Sequence, residues 1–328
     1  MTTPDRKLLV GLLAVLVLVF ALVGSNVAAN HAPKPHGVPV GLVGDTPAVV
    51  GVASSLVHSA PGAYNVHRYA TLAQARAAIL DRSVYGAYSP APSPRLLVAS
   101  AASLSVASLL KQRFAGAGAV NGRSPVIQDV APLPSSDPNG ATAFSMLLSL
   151  ILAGELGAVL IFTLGRHRSA VSRLLVVAGM GLGAGLAAAL VTNVVVGAFQ
   201  GQFLAVWGVS AVFVLSIAVP VAAFQSLVGV GGTAIGAILF LVIGNPASGA
   251  SSAPELLPAF WRQLSQLLPP GAAITAIRDV VYFHGQGIGR ALLVLSVWIA
   301  AGTAAVVTLY VVRARTSSAP APAQPVPA

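Results

Sequence analysis

Long apolar runs dominate the pattern of this chain. Between positions 174 and 254 no Asp, Glu, Lys, Arg, His or Tyr occurs. About 20 helical residues are enough to cross the hydrocarbon core of a bilayer. The stretch is therefore too long for one crossing and too apolar for a water-soluble fold. The pattern predicts an α-helical integral membrane protein with several spans.

Six segments fit transmembrane helices: residues 8–28, 141–164, 174–199, 203–224, 226–244 and 291–312. The breaks among the middle four fall at the basic loop 165–173, at residues 200–202 and near Gln225 and Ser226. The first run is either an uncleaved anchor or a cleaved signal peptide, because small residues follow it. Its length favours the anchor.

Positive charge indicates the orientation of these spans. With the N-terminus inside, the short cytoplasmic segments hold seven cations, whereas the opposite short loop at residues 200–202 holds none. The cations are Arg6, Lys7, Arg166, Arg168, Arg173, Arg313 and Arg315. Because short cytoplasmic loops are enriched in Lys and Arg, we expect a multi-pass plasma-membrane protein with both termini in the cytoplasm.

Residues 30–139 are polar enough to form an extracellular α/β domain, inserted between helices 1 and 2. Short β-prone runs alternate with helical patterns, which is typical of an α/β layer fold. The predicted strands are residues 38–43, 65–69, 84–88, 95–99 and 126–130. Thr71 and Gln74 have the spacing of a capping box. Two helical faces follow: Leu72, Ala75 and Ile79, then Val106, Leu109, Leu110 and Phe114.

The chain therefore divides into six parts. They are the cytoplasmic N-terminus and first helix (1–29), the extracellular domain (30–139), helices 2–5 (140–244), an extracellular loop with interfacial helices (245–290), helix 6 (291–313) and a Pro/Ala-rich tail (314–328). Such a tail cannot bury a core, so we expect it to be disordered and cytoplasmic.

Composition agrees with a membrane protein. The chain is 56% hydrophobic and only 8% charged, with 18 Lys and Arg against 8 Asp and Glu. The basic residues are thinly spread and lack the aromatic interleaving of nucleic-acid-binding surfaces. Anionic membrane lipids are the better partner for this charge, and no nucleic acid is expected. Cysteine is absent, which excludes disulfides and thiolate metal sites.

No pattern indicates an enzyme. Lys occurs only at positions 7, 34 and 111, and none follows the glycines of a phosphate-binding loop. No Ser/His/Asp arrangement has a usable context. Of the six His residues only His31 and His36 lie close together, in a segment that fits a solvated linker better than a metal site. We expect no catalytic residue, no cofactor and no metal.

Two polar residues inside the spans are candidates for a transport path, Glu155 and Asn193. Glu155 follows Ala141 by 14 positions, about 21 Å along a helix, and a charge at that depth is costly unless it faces the protein interior or water. Glu155 either contacts a substrate or ion, or reaches Arg166 or Arg168, or stays protonated. For Asn193 the alternative is a hydrogen bond between helices.

The segment before the last helix carries three further candidates: Trp261, Arg278 and Asp279. An apolar stripe around Trp261 is typical of a helix that lies in the membrane interface. Arg278 and Asp279 follow a Pro-Pro-Gly break, where they either pair or cap neighbouring elements, or bind a substrate. Glycines four apart, at 181 and 185 and at 232 and 236, indicate close helix packing.

These residues carry a family resemblance. Residues 268–271 (Leu-Pro-Pro-Gly) and 276–285 (Ala-Ile-Arg-Asp-Val-Val-Tyr-Phe-His-Gly), with the layout of one anchor helix, an outer α/β domain and five more spans, resemble ABC-2 type transporter permeases of the phage-infection-protein-like branch. Residues 75–87 and 97–102 are similar to actinobacterial members of that branch. About 40 residues carry the motif match, and the layout covers nearly the entire chain.

The resemblance implies a permease subunit that forms a homo- or heterodimer and is energised by a separate cytoplasmic ABC ATPase. Residues 165–173 are the segment it leaves for coupling to that ATPase. The apolar bundle favours an amphipathic or lipid-like cargo for export. The competing hypothesis is a non-transporting receptor, sensor or envelope scaffold that presents the outer domain. An intramembrane enzyme is the weakest hypothesis, because no pair of intramembrane acids or histidines is available.

Overall fold

The computed structural model describes residues 3–90, 93–119, 124–164 and 169–317. Its first part contains a long helix and an α/β domain. The elements are α1 (Thr3–Asn30), β1 (Val38–Val43), α2 (Pro47–Ser59), β2 (Tyr64–Tyr69), α3 (Leu72–Leu80), β3 (Gly86–Ser89), β4 (Arg95–Val98), α4 (Leu104–Ala119) and β5 (Val126–Asp129).

The second part is a bundle of apolar helices. Its elements are α5 (Ala141–Leu164), α6 (Ala170–Leu190), α7 (Phe203–Val228), α8 (Gly231–Gly236), α9 (Asn245–Ala247), α10 (Ala259–Ser265), α11 (Pro269–Tyr282) and α12 (Ile288–Ser317). Two π-helical segments, Val191–Val195 and Ala237–Gly244, continue α6 and join α8 to α9.

The five predicted strands are confirmed, each within about two residues, and they form one mixed sheet in the order β2-β1-β3-β4-β5. Only the β3–β4 pair is antiparallel. Short β-prone runs identified these strands, and β1 and β3 are buried along nearly their whole length, as continuous apolar runs predict. The α/β domain is thus a small layer fold of its own.

The two helical faces predicted for this domain are also present. Ala75 and Ile79 of α3 are buried, and so are Val106, Leu110 and Phe114 of α4. The backbone N–H of Gln74 donates to the Thr71 hydroxyl at 3.2 Å, while the Gln74 side chain accepts from the N–H of Ala70 at 3.1 Å. The cap therefore forms, with the return bond one residue earlier than in a standard capping box. Helix α2 was not predicted.

In the described residues, five helices are long and apolar enough to cross a membrane: Leu8–Asn30, Ala141–Thr163, Ala170–Val195, Phe203–Val228 and Ile288–Val312. Helix α7 is central, because it packs against α5, α6, α11 and α12. A Cβ added to Gly185 of α6 would lie 2.7 Å from the backbone nitrogen of Ala211 in α7. Gly181 and Gly185 of α6 thus serve close helix packing, as predicted, whereas Gly179 and Gly183 have no neighbouring atom within 4 Å of an added Cβ.

The predicted span 226–244 differs from the structure. Helix α7 continues through Gln225 and Ser226, and the turn falls at Gly229, whose φ of +67° suits glycine. The next apolar stretch, Gly231–Ala247, is shorter than the five other helices. Its 17 residues would measure about 26 Å as an α-helix, slightly less than a hydrocarbon core of about 30 Å. The sixth crossing is therefore not established.

Several boundaries also shift. Helix α6 begins at Ala170, where the Ser169 hydroxyl accepts the N–H of Ser172. Helix α12 extends to Ser317, beyond the predicted tail boundary at residue 314. Arg166, Arg168 and residues 318–328 lie outside the described residues, and so do the predictions made for them.

Candidate functional site

The α/β domain joins the bundle through a buried ion pair. Arg82 follows the C-terminus of α3 and takes a positive φ of 65°, a left-handed conformation that ends a helix. This turn directs the Arg82 side chain at α11, where its Nε lies 3.1 Å from Oδ1 of Asp279. The guanidinium carbon also lies 4.7 Å from the centre of the Phe283 ring. A cation and an aromatic face attract each other at that distance.

Asp279 belongs to helix α11, which is packed inside the structure. Two prolines start this helix, and almost every side chain of its first three turns is buried. Asp279 is 1% exposed. Burial raises the pKa of this carboxyl to about 6, although Arg82 and Arg278 both oppose the rise. Its Oδ1 lacks an aligned hydrogen bond even though Arg82 is close, so the contact is an ion pair rather than a charged hydrogen bond.

Arg278, the neighbour of Asp279, binds backbone rather than a carboxylate. Its two terminal nitrogens donate to the carbonyl oxygens of Gly249, at 2.9 Å, and Ala250, at 2.8 Å. Burial lowers the pKa of Arg278 to about 10, with a further contribution from the nearby Arg82. Arg278 therefore holds the loop after α9 against α11.

A third contact completes the junction. Tyr85 immediately precedes β3, and its hydroxyl donates to Oε2 of Glu255 at 2.8 Å. Burial raises the pKa of Tyr85, and the negative Glu255 raises it further. Backbone bonds from Lys34 and His36 to the carbonyl oxygens of residues 256 and 255 fasten the same loop to the domain.

A cavity of about 350 Å³ lies between these contacts. The α/β domain and the bundle both contribute charged side chains to its wall: Asp81, Arg82, Glu255, Arg278, Asp279 and Arg290. Pockets for small ligands are usually at least this large and often lie between domains. The junction cavity therefore has charged side chains from both parts of the chain in its wall.

The predicted interfacial residues separate in the structure. Arg278 and Asp279 are in the junction, whereas Trp261 lies on α10 with its ring edge-on to Phe260, centroids 5.1 Å apart. Phe260 and Leu267 are more than half exposed. The short helix α10 thus presents an apolar surface, as the prediction of an interfacial segment requires.

Glu155 forms a second candidate site, inside the helix bundle and separate from the junction. The residue is 7% exposed, and neither carboxylate oxygen has a hydrogen-bond partner among the described residues. A Cβ added to Gly236, the last residue of α8, would lie 2.9 Å from both oxygens. The carboxylate therefore occupies the space that a side chain at position 236 would need, where the π-helical segment begins.

Asn193 is not brought together with Glu155. Its side-chain nitrogen donates to the carbonyl oxygen of Ala189, at 3.1 Å, and to the hydroxyl of Thr192, at 3.3 Å. Both acceptors belong to its own helical segment. Asn193 is near the end of the span that starts at Ala170, whereas Glu155 is well inside α5. The two candidates thus lie at different depths.

Sequence reasoning missed Arg82, Tyr85, Glu255 and Arg290. Each looked like an ordinary polar residue of a loop or helix end, and no local pattern connects them. The one available signal was charge near the ends of apolar helices, which applies to many residues. In the described part of the chain no group of three His, Asp or Glu side chains is arranged to hold a metal ion.

Comparison with known proteins gives no assignment. No protein-family model matches the chain, and searches of curated proteins and of solved structures also found no match.

Proposed function

We propose that this chain is the membrane-embedded permease subunit of an exporter for an amphipathic or lipid-like substrate. In this proposal Gly231–Ala247 crosses the membrane with the five longer helices. Both termini are cytoplasmic, and the α/β domain is extracellular. A separate cytoplasmic ATPase supplies the energy, and two membrane subunits assemble as a dimer.

The buried carboxylate of Glu155 carries this proposal. An ionisable residue inside a span is costly and is usually kept for a functional reason. Its oxygens face Gly236, where regular α-helix changes to π-helix. Segments that depart from the α-helix are frequent at functional sites and in the broken helices of transporters. Glu155 is therefore in contact with an element suited to rearrangement.

The composition of the rest of the bundle favours an apolar substrate. In the described residues of the spans and of Gly231–Ala247, the only charged side chains apart from Glu155 are Arg173 and Arg290, each in the first turn of its helix. Such a bundle offers no chain of charged groups for an ion to follow. Movement of α8 away from α5 would open an apolar route with one polar contact.

Replacing Glu155 tests the proposal. Cells that produce the Glu155→Gln variant should lose export of a fluorescent short-chain phospholipid analogue, as deletion of the whole chain does. Ser149→Ala is the matched control, because Ser149 is exposed on the same helix and bonds only to the carbonyl of Ser145. Unchanged export by Glu155→Gln at normal expression would remove Glu155 from the transport path.

The orientation has its own test. The chain contains no cysteine, so single cysteines can be introduced without a background. Ala60→Cys should react with a membrane-impermeant reagent in intact cells, and Pro320→Cys should react only after lysis. The opposite result would reverse the proposed orientation.

The alternative is a non-transporting receptor, sensor or scaffold, and the junction cavity favours it. That cavity belongs to the α/β domain as much as to the bundle, and the domain has separate buried clusters around Leu42 and around Ala75. Deletion of the chain with no change in export, combined with ligand binding at the cavity, would favour this second function.

A further inference from the structure

The wall of the junction cavity contains a buried hydrogen-bond donor that the described residues leave unpaired. Nη1 of Arg82 is buried without an acceptor among the described residues. A buried guanidinium N–H without an acceptor is costly. Asp279 faces Nε of Arg82 and Glu255 accepts from Tyr85, and neither carboxylate accepts a hydrogen bond from Nη1. A ligand oxygen would complete this site.

Arg290 supplies a second donor group at the rim. It lines the cavity from the first turn of α12, it is exposed, and no hydrogen bond or ion pair joins it to the rest of the described chain. Asp81, the remaining carboxylate of the wall, is also exposed and is hydrated without help from a ligand. Two guanidinium groups, one partly buried and one at the rim, fit an anion with several oxygens, such as a phosphate.

Exposed apolar side chains lie close in the sequence to one residue of this polar wall, Gln266. Gln266 lines the cavity, and the next residue, Leu267, has 59% of its surface exposed. Phe260, on the neighbouring helix α10, is 56% exposed. A free phosphate ester would make no use of these side chains, whereas the acyl chains of a lipid would cover them.

We infer that the junction cavity binds the phosphate headgroup of an anionic phospholipid, held by Arg82 and Arg290, with the acyl chains along Leu267 and Phe260. The site is outside the Glu155 region and does not depend on transport. The bound lipid bridges the α/β domain and the bundle, because Arg82 comes from the domain and Arg290 from the bundle.

Calorimetric titration of the purified full-length chain in a nonionic detergent tests this inference. Short-chain phosphatidylglycerol should bind, and Arg290→Gln should weaken the binding about tenfold or more, since a hydrogen bond between charged groups contributes at least about 1.5 kcal/mol. Arg76→Gln is the matched control, because Arg76 is exposed on α3 and is not part of the cavity wall. Equal affinity of Arg290→Gln and the control would overturn the inference.

Two further measurements separate the sources of the phosphate. Leu267→Asn should weaken phosphatidylglycerol binding, and glycerol phosphate should compete poorly. If glycerol phosphate binds as tightly as the lipid and ignores Leu267→Asn, the ligand is a soluble phosphate ester and the lipid assignment is wrong. If phosphatidylcholine binds as tightly as phosphatidylglycerol, the requirement for an anion is wrong.

Discussion

Breaking the ion pair between Arg82 and Asp279 should destabilise the attachment of the α/β domain to the bundle. The change Arg82→Gln removes the charge and leaves the left-handed backbone of this position equally strained. Asp279 is 1% exposed and Arg82 is 17% exposed at the side chain. Removing one partner of a buried pair costs about 3–5 kcal/mol. Because Arg82 is partly hydrated, we expect a loss of about 3 kcal/mol at neutral pH.

The pH dependence of this loss of stability is a more specific prediction than its size at neutral pH. Arg82 lowers the pKa of Asp279, so its removal should move this pKa further above about 6. Below the new pKa the carboxyl is protonated in the folded variant, and no unpaired charge remains buried. The loss should therefore shrink as the pH falls. The double variant Arg82→Gln/Asp279→Asn should recover about 2 kcal/mol of it at neutral pH, because no carboxylate is left unpaired.

Denaturant unfolding in detergent, together with hydrogen exchange of α11, measures these effects. Arg76→Gln serves again as the exposed control and should change stability little. Strict additivity of the two single changes in the double variant would refute the reasoning. A loss that does not vary with pH would also refute it, because the cost would then not come from the buried carboxylate.

Three other expectations follow from the structure. Gly236→Ala should reduce the amount of folded protein, because the new methyl group would lie 2.9 Å from the Glu155 oxygens; normal yield and thermal stability would contradict the packing described here. Thr71→Ala should lower stability by about 1 kcal/mol through loss of the helix cap, which chemical denaturation can measure against Thr71→Ser, a change that keeps the hydroxyl. In the unmodified chain, stability should fall as the pH rises from 3.8 to about 6, because folded Asp279 holds its proton more tightly than in the unfolded chain. The fall should be on the order of 3 kcal/mol, and its persistence in Asp279→Asn would assign it to other groups.

The local sequence pattern was sufficient where a segment's own residues determine its structure. The spans 141–164 and 203–224 were found because most of their side chains are apolar and Glu155 is the only charged residue in either segment. Hydropathy of this kind can be read from the helix alone. The five strands were found for a similar reason, since short apolar and β-branched runs bounded by turn residues are local signals. The cap at Thr71 depends on residues three apart and was equally accessible.

Local pattern failed where two distant segments decide the outcome. The break expected near Gln225 lies at Gly229, because the Gln225 side chain donates to Thr233 across the turn, at 3.0 Å, and so belongs to the packed hairpin. Only the complete structure shows which polar residues near a span are paired and which are not.

The sequence alone thus determined that apolar helices and a small α/β domain make up this chain, and that Glu155 lies well inside an apolar helix. The tertiary structure decided that Arg82 meets Asp279, that Glu155 faces Gly236 and that a charged cavity lies at the junction. Hydropathy depends on each residue and its near neighbours. The pairing of polar side chains depends on how elements far apart in the chain pack, and no local pattern contains that information.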